Sequence, residues 1–376
     1  MAVTLRDLVD VLDATYPRAL AEDWDAVGLV CGDLDDEVRT VLLSVDVTDA
    51  VVDEALDSGA QALVAHHPLL LRGVHGVGTD SPKGRLVHRL VRGGCALFTV
   101  HTNADSAAPG VSDALARVVG LTALEPLAPS AGAAHHLLVT QVPTAHREAV
   151  VDALAAAGAG HLGDYDRCAW TVTGTGTFEP QAGAEPAVGR VGAREEVAED
   201  RVEMVVPPHR AAAAVAALRD AHPYEEPAFQ LLATVPSAGA EGLGRVGQLP
   251  SPMSLQAFAE HVARVLPRTV GGVRIAGPVH AQVERVAVCG GAGDSLIGAA
   301  RAAGADVLVT ADLRHHPVQD ALEAGGPWLV DVSHWASEWP FLIGARERVL
   351  AALDPTAEHL EVTVSRTVTD PWTSRA

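Results

Sequence analysis

The stretch Val64–Pro68, VAHHP, places two consecutive histidines directly after an apolar run that predicts a buried strand. Within a strand, neighbouring side chains point to opposite faces of the sheet, so adjacent histidines there cannot serve one site. At the carboxyl end of the strand this restriction lapses, because the backbone turns and Pro68 fixes its exit. His66 and His67 can then converge on one cavity, or each can hold one metal of a pair.

The segments around this stretch alternate between predicted strands and helices. Strands are predicted at 41–46, 62–65 and 96–100, and helices at 4–16, 48–58, 85–92 and 111–119. Strand, helix, strand in that order indicates a parallel α/β layer. In such layers ligands gather beyond the carboxyl ends of the strands, which is where His66 and His67 lie.

The same alternation of strands and helices is predicted in the last third of the chain. Strands are predicted at 286–289, 307–310 and 328–331, and helices at 255–266, 296–303 and 341–353. A glycine-rich stretch at 290–294 resembles a phosphate-cradling turn, but no Lys–Ser/Thr follows it, so a tight strand-to-helix turn is favoured. The two α/β segments look alike, which is consistent with an internal duplication.

The middle of the chain has a different pattern. Stretches rich in small residues and proline, at 122–130 and 235–244, bound an order of strand, helix, strand, strand, helix, strand. That order is typical of a ferredoxin-like domain. We therefore predict an α/β protein in which residues 1–129 and 241–376 form two similar halves of one metal-binding core. Residues 130–240 form the inserted ferredoxin-like (βαββαβ) domain.

Composition excludes several classes of protein. The formal charge is −21, with 27 basic residues against 48 acidic ones, which argues against a non-specific nucleic-acid binder. The four cysteines are scattered without a CxxC pair, as in a reducing cytoplasm. The amino terminus lacks the basic start and apolar run of a signal peptide, and no apolar stretch is long enough to span a membrane. We expect a cytoplasmic protein.

Five side chains at or just after predicted strand ends carry metal-binding chemistry: His66, His67, Asp105, His334 and Glu338. Three imidazoles and two carboxylates suit two divalent ions such as zinc, manganese or iron. If the segment that carries them is helical, His334 and Glu338 share a face. Simpler interpretations remain open, since a His/Glu pair often supports a solvated helix and Asp105 can be a turn or cap residue.

Five motifs in order resemble the family of GTP cyclohydrolase 1 type 2 homologues, the Nif-three-like dinuclear metal proteins. They are WDAVGLVCGD (24–33), AHHPLLL (65–71), HTNADSAAPGVSDAL (101–115), CGGAGDSLIGAARAAGADVLVTADLRHH (289–316) and DVSHWASEWPFL (331–342). The resemblance runs through both α/β segments. The longer members of the family carry an inserted ferredoxin-like domain.

The resemblance implies a dinuclear site formed by the same five residues. Glu338 would bridge the ions, with His66 and His334 on one and His67 and Asp105 on the other. It also implies a toroidal homohexamer. Ser333, Trp335 and the neighbours of Asp105 depart from the usual family residues, which bears on substrate fit more than on metal binding. His101 and His316 match positions that are often histidine in the family. We expect roles near the site, as extra ligands, proton-transfer groups or supports of the ligands.

Two functions follow from these residues. In the first, two metal ions activate a water that hydrolyses a small, nucleotide-like substrate, as the family name implies. In the second, the site binds, delivers or senses metal without catalysis. A further polar motif, His222–Glu226, lies at a helix end in the inserted domain. It can bind a ligand or a metal, although a structural or oligomer-contact role is favoured.

Overall fold

The computed structural model describes residues 2–130, 135–235, 239–353 and 360–376. The chain divides into two compact units, one made of Met1–Ser130 and Gly239–Ala376 and the other of Ala131–Ala238. The larger unit is called the core unit below and the smaller one the inserted unit.

In chain order, the described strands are β1 Gly28–Cys31, β2 Thr40–Ser44, β3 Ala62–Ala65, β4 Ala96–Thr99, β5 Thr122–Pro129, β6 His136–Pro143, β7 Trp170–Phe178, β8 Glu195–Val206, β9 Phe229–Ala233, β10 Gly242–Ser254, β11 Arg274–Ala276, β12 Gln282–Ala292, β13 Val307–Ala311, β14 Trp328–Val332 and β15 Glu361–Val364. The α-helices are α1 Leu5–Thr15, α2 Asp49–Asp57, α3 Pro82–Arg92, α4 Thr102–Ser106, α5 Val111–Val119, α6 Arg147–Ala156, α7 Ala211–Ala221, α8 Leu255–Val265, α9 Ile297–Ala302, α10 His315–Glu323 and α11 His334–Leu353.

Two mixed sheets form the core unit. The first has the order β1-β4-β3-β2-β15, in which β4, β3, β2 and β15 are parallel and β1 is antiparallel to β4. The second has the order β11-β14-β13-β12-β10-β5, with β12, β13 and β14 parallel. All residues of β3, β4 and β13 are buried, as expected for apolar strands covered on both faces.

Helix ends follow their local sequence. Thr4 caps α1: its hydroxyl accepts from the Asp7 N–H while the Asp7 carboxylate accepts from the Thr4 N–H. Thr48 caps α2 in the same position. These elements lie within one or two residues of their predicted bounds.

Two elements of the core unit differ from the sequence-based prediction. Residues 122–130, interpreted as a boundary, contain β5, which pairs with β10 at the edge of the second sheet. Pro126 and Pro129 obscure this strand in the sequence, and an edge strand tolerates them because one side makes no ladder hydrogen bonds. The last helix was predicted from residue 341, after Pro340, but α11 begins at His334 and contains that proline.

The inserted unit is a four-stranded antiparallel sheet with the order β7-β8-β6-β9. Its elements follow the chain order β6, α6, β7, β8, α7, β9. Apolar side chains of both helices and of the central strands form its core, among them Leu138, Val150, Leu154, Met204 and Leu218.

No helix in the described parts of the chain is long and apolar enough to cross a membrane. All four cysteines, Cys31, Cys95, Cys168 and Cys289, are free thiols.

Candidate metal centre

The candidate site lies in the core unit, where strands of both sheets end. His66 and His67 follow β3 directly, and their backbone N–H groups still donate to Ser44 O (3.0 Å) and Val45 O (2.8 Å). Asp105 lies on α4, a short helix separated from the end of β4 by two residues. The parallel strands therefore deliver these side chains to one edge of the sheet.

His334 and Glu338 lie on α11, the helix that follows β14 of the second sheet. α11 begins one residue after Ser333, which follows β14, so both residues lie in its first two turns. They are four residues apart on one helix face, and His334 Nε2 lies 2.9 Å from Glu338 Oε1. The predicted helical relationship is thus present, because the helix starts before Pro340 rather than after it.

The Glu338 carboxylate stands at the centre of the cluster, and only 3% of its side chain is exposed. Its Oε1 lies 3.5 Å from His66 Nε2 as well as 2.9 Å from His334 Nε2, while Oε2 lies 3.1 Å from His67 Nε2. Asp105 Oδ1 lies 3.7 Å from His66 Nε2. The structure therefore brings together all five side chains that the sequence analysis selected.

Each of the three imidazoles is fixed through its other nitrogen. His66 Nδ1 donates to the Val100 carbonyl oxygen at 2.8 Å. His67 Nδ1 contacts Asp46 Oδ1 at 2.8 Å, and His334 Nδ1 contacts Asp312 Oδ2 at 2.6 Å. A carbonyl or carboxylate oxygen only accepts, so Nδ1 carries the hydrogen in each ring. In the neutral rings the Nε2 lone pairs are consequently free for a metal.

Two buried atoms of the cluster, His66 Nε2 and Glu338 Oε2, make no hydrogen bond within the described residues. Glu338 Oε2 lies 3.1 Å from His67 Nε2, but this contact lacks hydrogen-bond geometry. Buried polar atoms are nearly always paired, so orphaned atoms on facing imidazole and carboxylate groups fit the donor set of a bound cation. Three of the residues, His67, His334 and Glu338, bring one potential ligand atom each within 4.8 Å of one another. The residues present therefore fit a divalent metal.

Opposite charges within the cluster stabilise one another. Burial opposes protonation of His67 and His334, but the carboxylates around each ring together outweigh it. Glu338 and Asp46 raise the pKa of His67 to about 11, and Glu338 and Asp312 raise that of His334 to about 9. Although burial disfavours the Glu338 anion, the three imidazoles hold the pKa of Glu338 well below its usual range. Burial raises the pKa of Asp105 to about 6. The protons on His67 and His334 therefore occupy the positions at which a metal cation would bind.

The two additional histidines of the sequence analysis lie in different places. The His101 ring centroid is 5.3 Å from that of His66 and 5.5 Å from that of His67, so it borders the cluster. Its Nδ1 contacts Asp25 Oδ1 at 2.8 Å, and burial lowers the pKa of His101 to about 4. His316 is exposed in the first turn of α10. Among the described residues no hydrogen bond, ion pair or ring contact joins it to the cluster.

The carboxylates that hold the imidazoles are not among the site residues predicted from the sequence. Asp46 follows β2 and Asp312 follows β13, so each lies at a strand end like the residues it supports. Their position at strand ends was the sequence feature that could have identified them. Asp25, which belongs to the first sequence motif, also accepts from the Thr102 N–H at 3.0 Å.

The glycine-rich stretch at 290–294 packs against the cluster. β12 continues to Ala292, so Gly290 and Gly291 lie within a strand rather than in a turn. Gly291 has φ +65°, and a Cβ there would lie 2.5 Å from Glu338 Oε1 and 2.9 Å from His334 Nε2. A side chain at this position would displace both groups.

A cavity of about 530 Å³ adjoins His67 and His334. The carboxyl-terminal segment lines part of it, including Trp372 and Arg375. This segment is tied to the site: the Thr369 hydroxyl donates to Asp46, and the Ser333 hydroxyl donates to Asp370.

Known proteins resemble this chain over nearly its full length. A family model described as Duf34/NIF3 (NGG1p interacting factor 3) matches residues 3–371. A Mycobacterium leprae protein named GTP cyclohydrolase 1 type 2 homolog is 53% identical over 373 residues, covering 99% of this chain and 96% of the relative. A Bacillus subtilis protein of the same name is 36% identical, covering 99% of both chains.

Solved structures of other proteins also resemble this chain over nearly its full length. A Staphylococcus aureus protein has a TM-score of 0.84 at 28% identity, covering 100% of this chain and 99% of its own. A Bacillus cereus protein related to NIF3 has a TM-score of 0.73 at 36% identity, covering 99% of both. The resemblance found in the five sequence motifs is confirmed, and the chain belongs to the Duf34/NIF3 (NGG1p interacting factor 3) family.

Proposed function

We propose that this protein is a dinuclear metal-dependent hydrolase whose ligands are His66, His67, Asp105, His334 and Glu338. The observation that carries the proposal is the arrangement of three Nδ1-anchored imidazoles around one buried carboxylate, with two buried ligand atoms left unpaired. Zinc, manganese and iron suit this set of nitrogen and oxygen donors.

Glu338 is the proposed bridging ligand. Its Oε1 faces His66 and His334 and its Oε2 faces His67, which supports assigning the first two imidazoles to one ion and His67 to the other. Asp105 would complete the set beside His67, although the imidazole it approaches is that of His66, with Oδ1 3.7 Å from Nε2. Two bound divalent ions would lower the pKa of a shared water and bind oxygen atoms of a substrate.

His101 is the proposed proton acceptor at this site. Its Nδ1 is held by Asp25, and its low pKa of about 4 keeps the ring neutral at physiological pH. Its Nε2 makes no hydrogen bond with the residues that the structure describes. It borders the cluster without pairing with Glu338, so it can take a proton without giving up a metal ligand.

The proposed substrate is a small nucleotide-like molecule. The relatives are named as homologues of GTP cyclohydrolase 1 type 2, and the adjoining cavity carries Trp372 and Arg375. An indole ring can stack on a base, and a guanidinium can pair with a phosphate. The family relationship also supports a cytoplasmic homohexamer with an inserted ferredoxin-like domain. Light scattering of the purified protein directly tests the hexamer.

Turnover after defined metal loading tests the function. Protein stripped with a chelator and reloaded with zinc, manganese or iron would be assayed with GTP, GDP, GMP and ATP for release of formate and phosphate. We expect turnover in the wild type and in His316→Asn, and its loss in Glu338→Gln and His101→Asn. Two ions bound per chain without turnover of any substrate would instead support metal storage, delivery or sensing.

A further inference from the structure

A second cavity, of about 390 Å³, lies entirely within the inserted unit. Residues of β7 and β8 and of the segment that follows α7 line it, including Phe178, Glu199 and Tyr224. Its volume is in the range of small-molecule sites. It contains part of the His222–Glu226 motif, for which the metal centre gives no role.

His222 has a structural task beside this cavity. Its Nε2 donates to the Gln141 carbonyl oxygen at 2.8 Å, and its Nδ1 accepts from the Tyr224 N–H at 3.1 Å. Both ring nitrogens are thereby used, and burial lowers the pKa of His222. The neutral ring positions Tyr224 and is not itself a ligand.

Glu199 is the buried acidic group of the cavity. The residue is 9% exposed, and its Oε1 accepts from the Tyr224 hydroxyl at 2.7 Å. Within the part of the chain that the structure describes, Oε2 accepts no hydrogen bond. This oxygen lies over Gly176, another lining residue, where any Cβ would overlap the carboxylate. A glycine at this point leaves room for a half-paired carboxylate at the cavity.

The other residues that line the cavity favour a positively charged ligand with an apolar portion. Glu179, Glu225 and Glu226 add three carboxylates, and the lining contains no lysine, arginine or histidine. Phe178 packs edge-on against Tyr224 with ring centroids 5.4 Å apart, beside apolar residues such as Val188. Aromatic rings attract ammonium groups, whereas four carboxylates repel anions.

The spacing of the carboxylates distinguishes an organic cation from a metal ion. Groups of three or more side chains able to hold a metal occur, among the described residues, only around His67 in the core unit. The carboxylates of this cavity are too dispersed to surround one small ion. Dispersed negative charge instead matches a molecule with separated positive groups.

We propose that this cavity binds a small aliphatic diamine or polyamine, with one ammonium group on Glu199 and the hydrocarbon chain against Phe178. Tyr224 supports this arrangement as a neutral hydroxyl donor, because burial and the Glu199 carboxylate raise its pKa well above the usual value of a tyrosine. The site gives the protein a ligand-binding function separate from metal chemistry, and it stands on residues of the inserted unit alone.

Calorimetric titration of the full-length protein with spermidine and putrescine tests the proposal, with 1,4-butanediol as an uncharged analogue of putrescine. We expect binding of one spermidine at this site that weakens as salt is raised, and none of the diol. Glu199→Gln should weaken binding at least about tenfold. Gly176→Ala should do the same by displacing the carboxylate. Glu196→Gln, on the same strand but exposed and outside the cavity, should bind like the wild type.

The variants also distinguish spermidine binding at this site from non-specific attraction of a polyamine to an acidic protein. Equal spermidine affinity in the wild type, Glu199→Gln and Gly176→Ala would overturn the proposal, as would zinc binding that depends on Glu199 without any polyamine binding. If Glu199→Gln loses its fold by circular dichroism, Tyr224→Phe replaces it. That variant keeps the ring and should weaken spermidine binding several-fold, whereas unchanged binding would count against the proposal.

Discussion

His66–His67 and His315–His316 are both pairs of adjacent histidines that come after a parallel strand, yet their environments are opposite. His66 is 1% exposed and follows β3 without a break. Three residues separate β13 from His315, and both histidines of that pair are exposed in the first turn of α10. Their rings contact each other at 5.1 Å, and no hydrogen bond or ion pair of their side chains occurs among the described residues.

The difference shows that a histidine pair acquires metal-binding geometry from its partners rather than from its sequence. His66 and His67 each have an acceptor for Nδ1 and face Glu338 with Nε2. His315 and His316 have neither. An anchored imidazole loses less rotational freedom when it binds a metal, and its free nitrogen is already defined.

The strongest test of this difference removes the shared carboxylate. Glu338→Gln keeps the shape of the side chain but removes the charge that faces all three imidazoles. We expect elemental analysis to show about two ions per chain in the wild type and loss of both in the variant, after equal dialysis. His316→Ala should keep the wild-type content. Metal retained in Glu338→Gln, or lost in His316→Ala, would break the distinction between the two pairs.

A second test disturbs the geometry without removing a ligand. In Gly291→Ala the new Cβ must displace Glu338 Oε1 and His334 Nε2, so we expect loss of at least one ion per chain. Gly304→Ala is the matched control, because Gly304 has φ +69° against +65° for Gly291 and nothing lies within 4 Å of its Cβ position.

Both glycine variants carry a similar backbone strain, roughly 1–2 kcal/mol of unfolding free energy. Only Gly291→Ala should lose metal. Equal metal content in the two variants would show that the close approach of Gly291 does not shape the site.

A smaller effect on metal binding is expected from changes in the carboxylates that accept from the histidine Nδ1 atoms. Asp46→Asn weakens the acceptor for His67 Nδ1, and changes in such outer partners typically cost ~10–100-fold in metal affinity. Competition with a fluorescent zinc chelator would measure this change. Asp320→Asn, an exposed change on α10 near His316, should leave affinity unaltered. An Asp46→Asn variant with wild-type affinity would mean that anchoring does not distinguish the two histidine pairs.

The sequence predicted the elements that depend on local chemistry. Thr4 and Thr48 mark the starts of α1 and α2, and the apolar run before His66 marks β3. The position of Asp105 relative to His66 also followed from strand order, because β3 and β4 are parallel neighbours that end at a common edge.

The features that the sequence analysis missed depend on partners distant along the chain. β5 is stabilised by pairing with β10, more than 110 residues away, and its two prolines obscure it locally. Likewise, Asp312 becomes an anchor only because α11 starts at His334, which Pro340 conceals. The close approach of Gly291 to Glu338 requires packing between β12 and α11, which no local pattern indicates.

The smallest expected effect concerns pH in the metal-free protein. The folded-state pKa values of His67 and His334, about 11 and about 9, lie above the ordinary value of 6.5. Such groups contribute stability that is fully present below about pH 6.5 and is lost as the pH rises through the folded-state values. The stability advantage of chelator-treated wild type over Glu338→Gln should therefore shrink as the pH rises from about 7 to about 10.

Urea unfolding at both pH values measures this difference, and the subtraction removes groups that titrate alike in the two proteins. Bound metal should reverse the trend, because it requires the imidazoles without their Nε2 protons. An advantage that stays constant over this range would mean that the imidazoles are not protonated against Glu338. The orphaned atoms, rather than the charges, would then be the feature that separates this histidine pair from the exposed one.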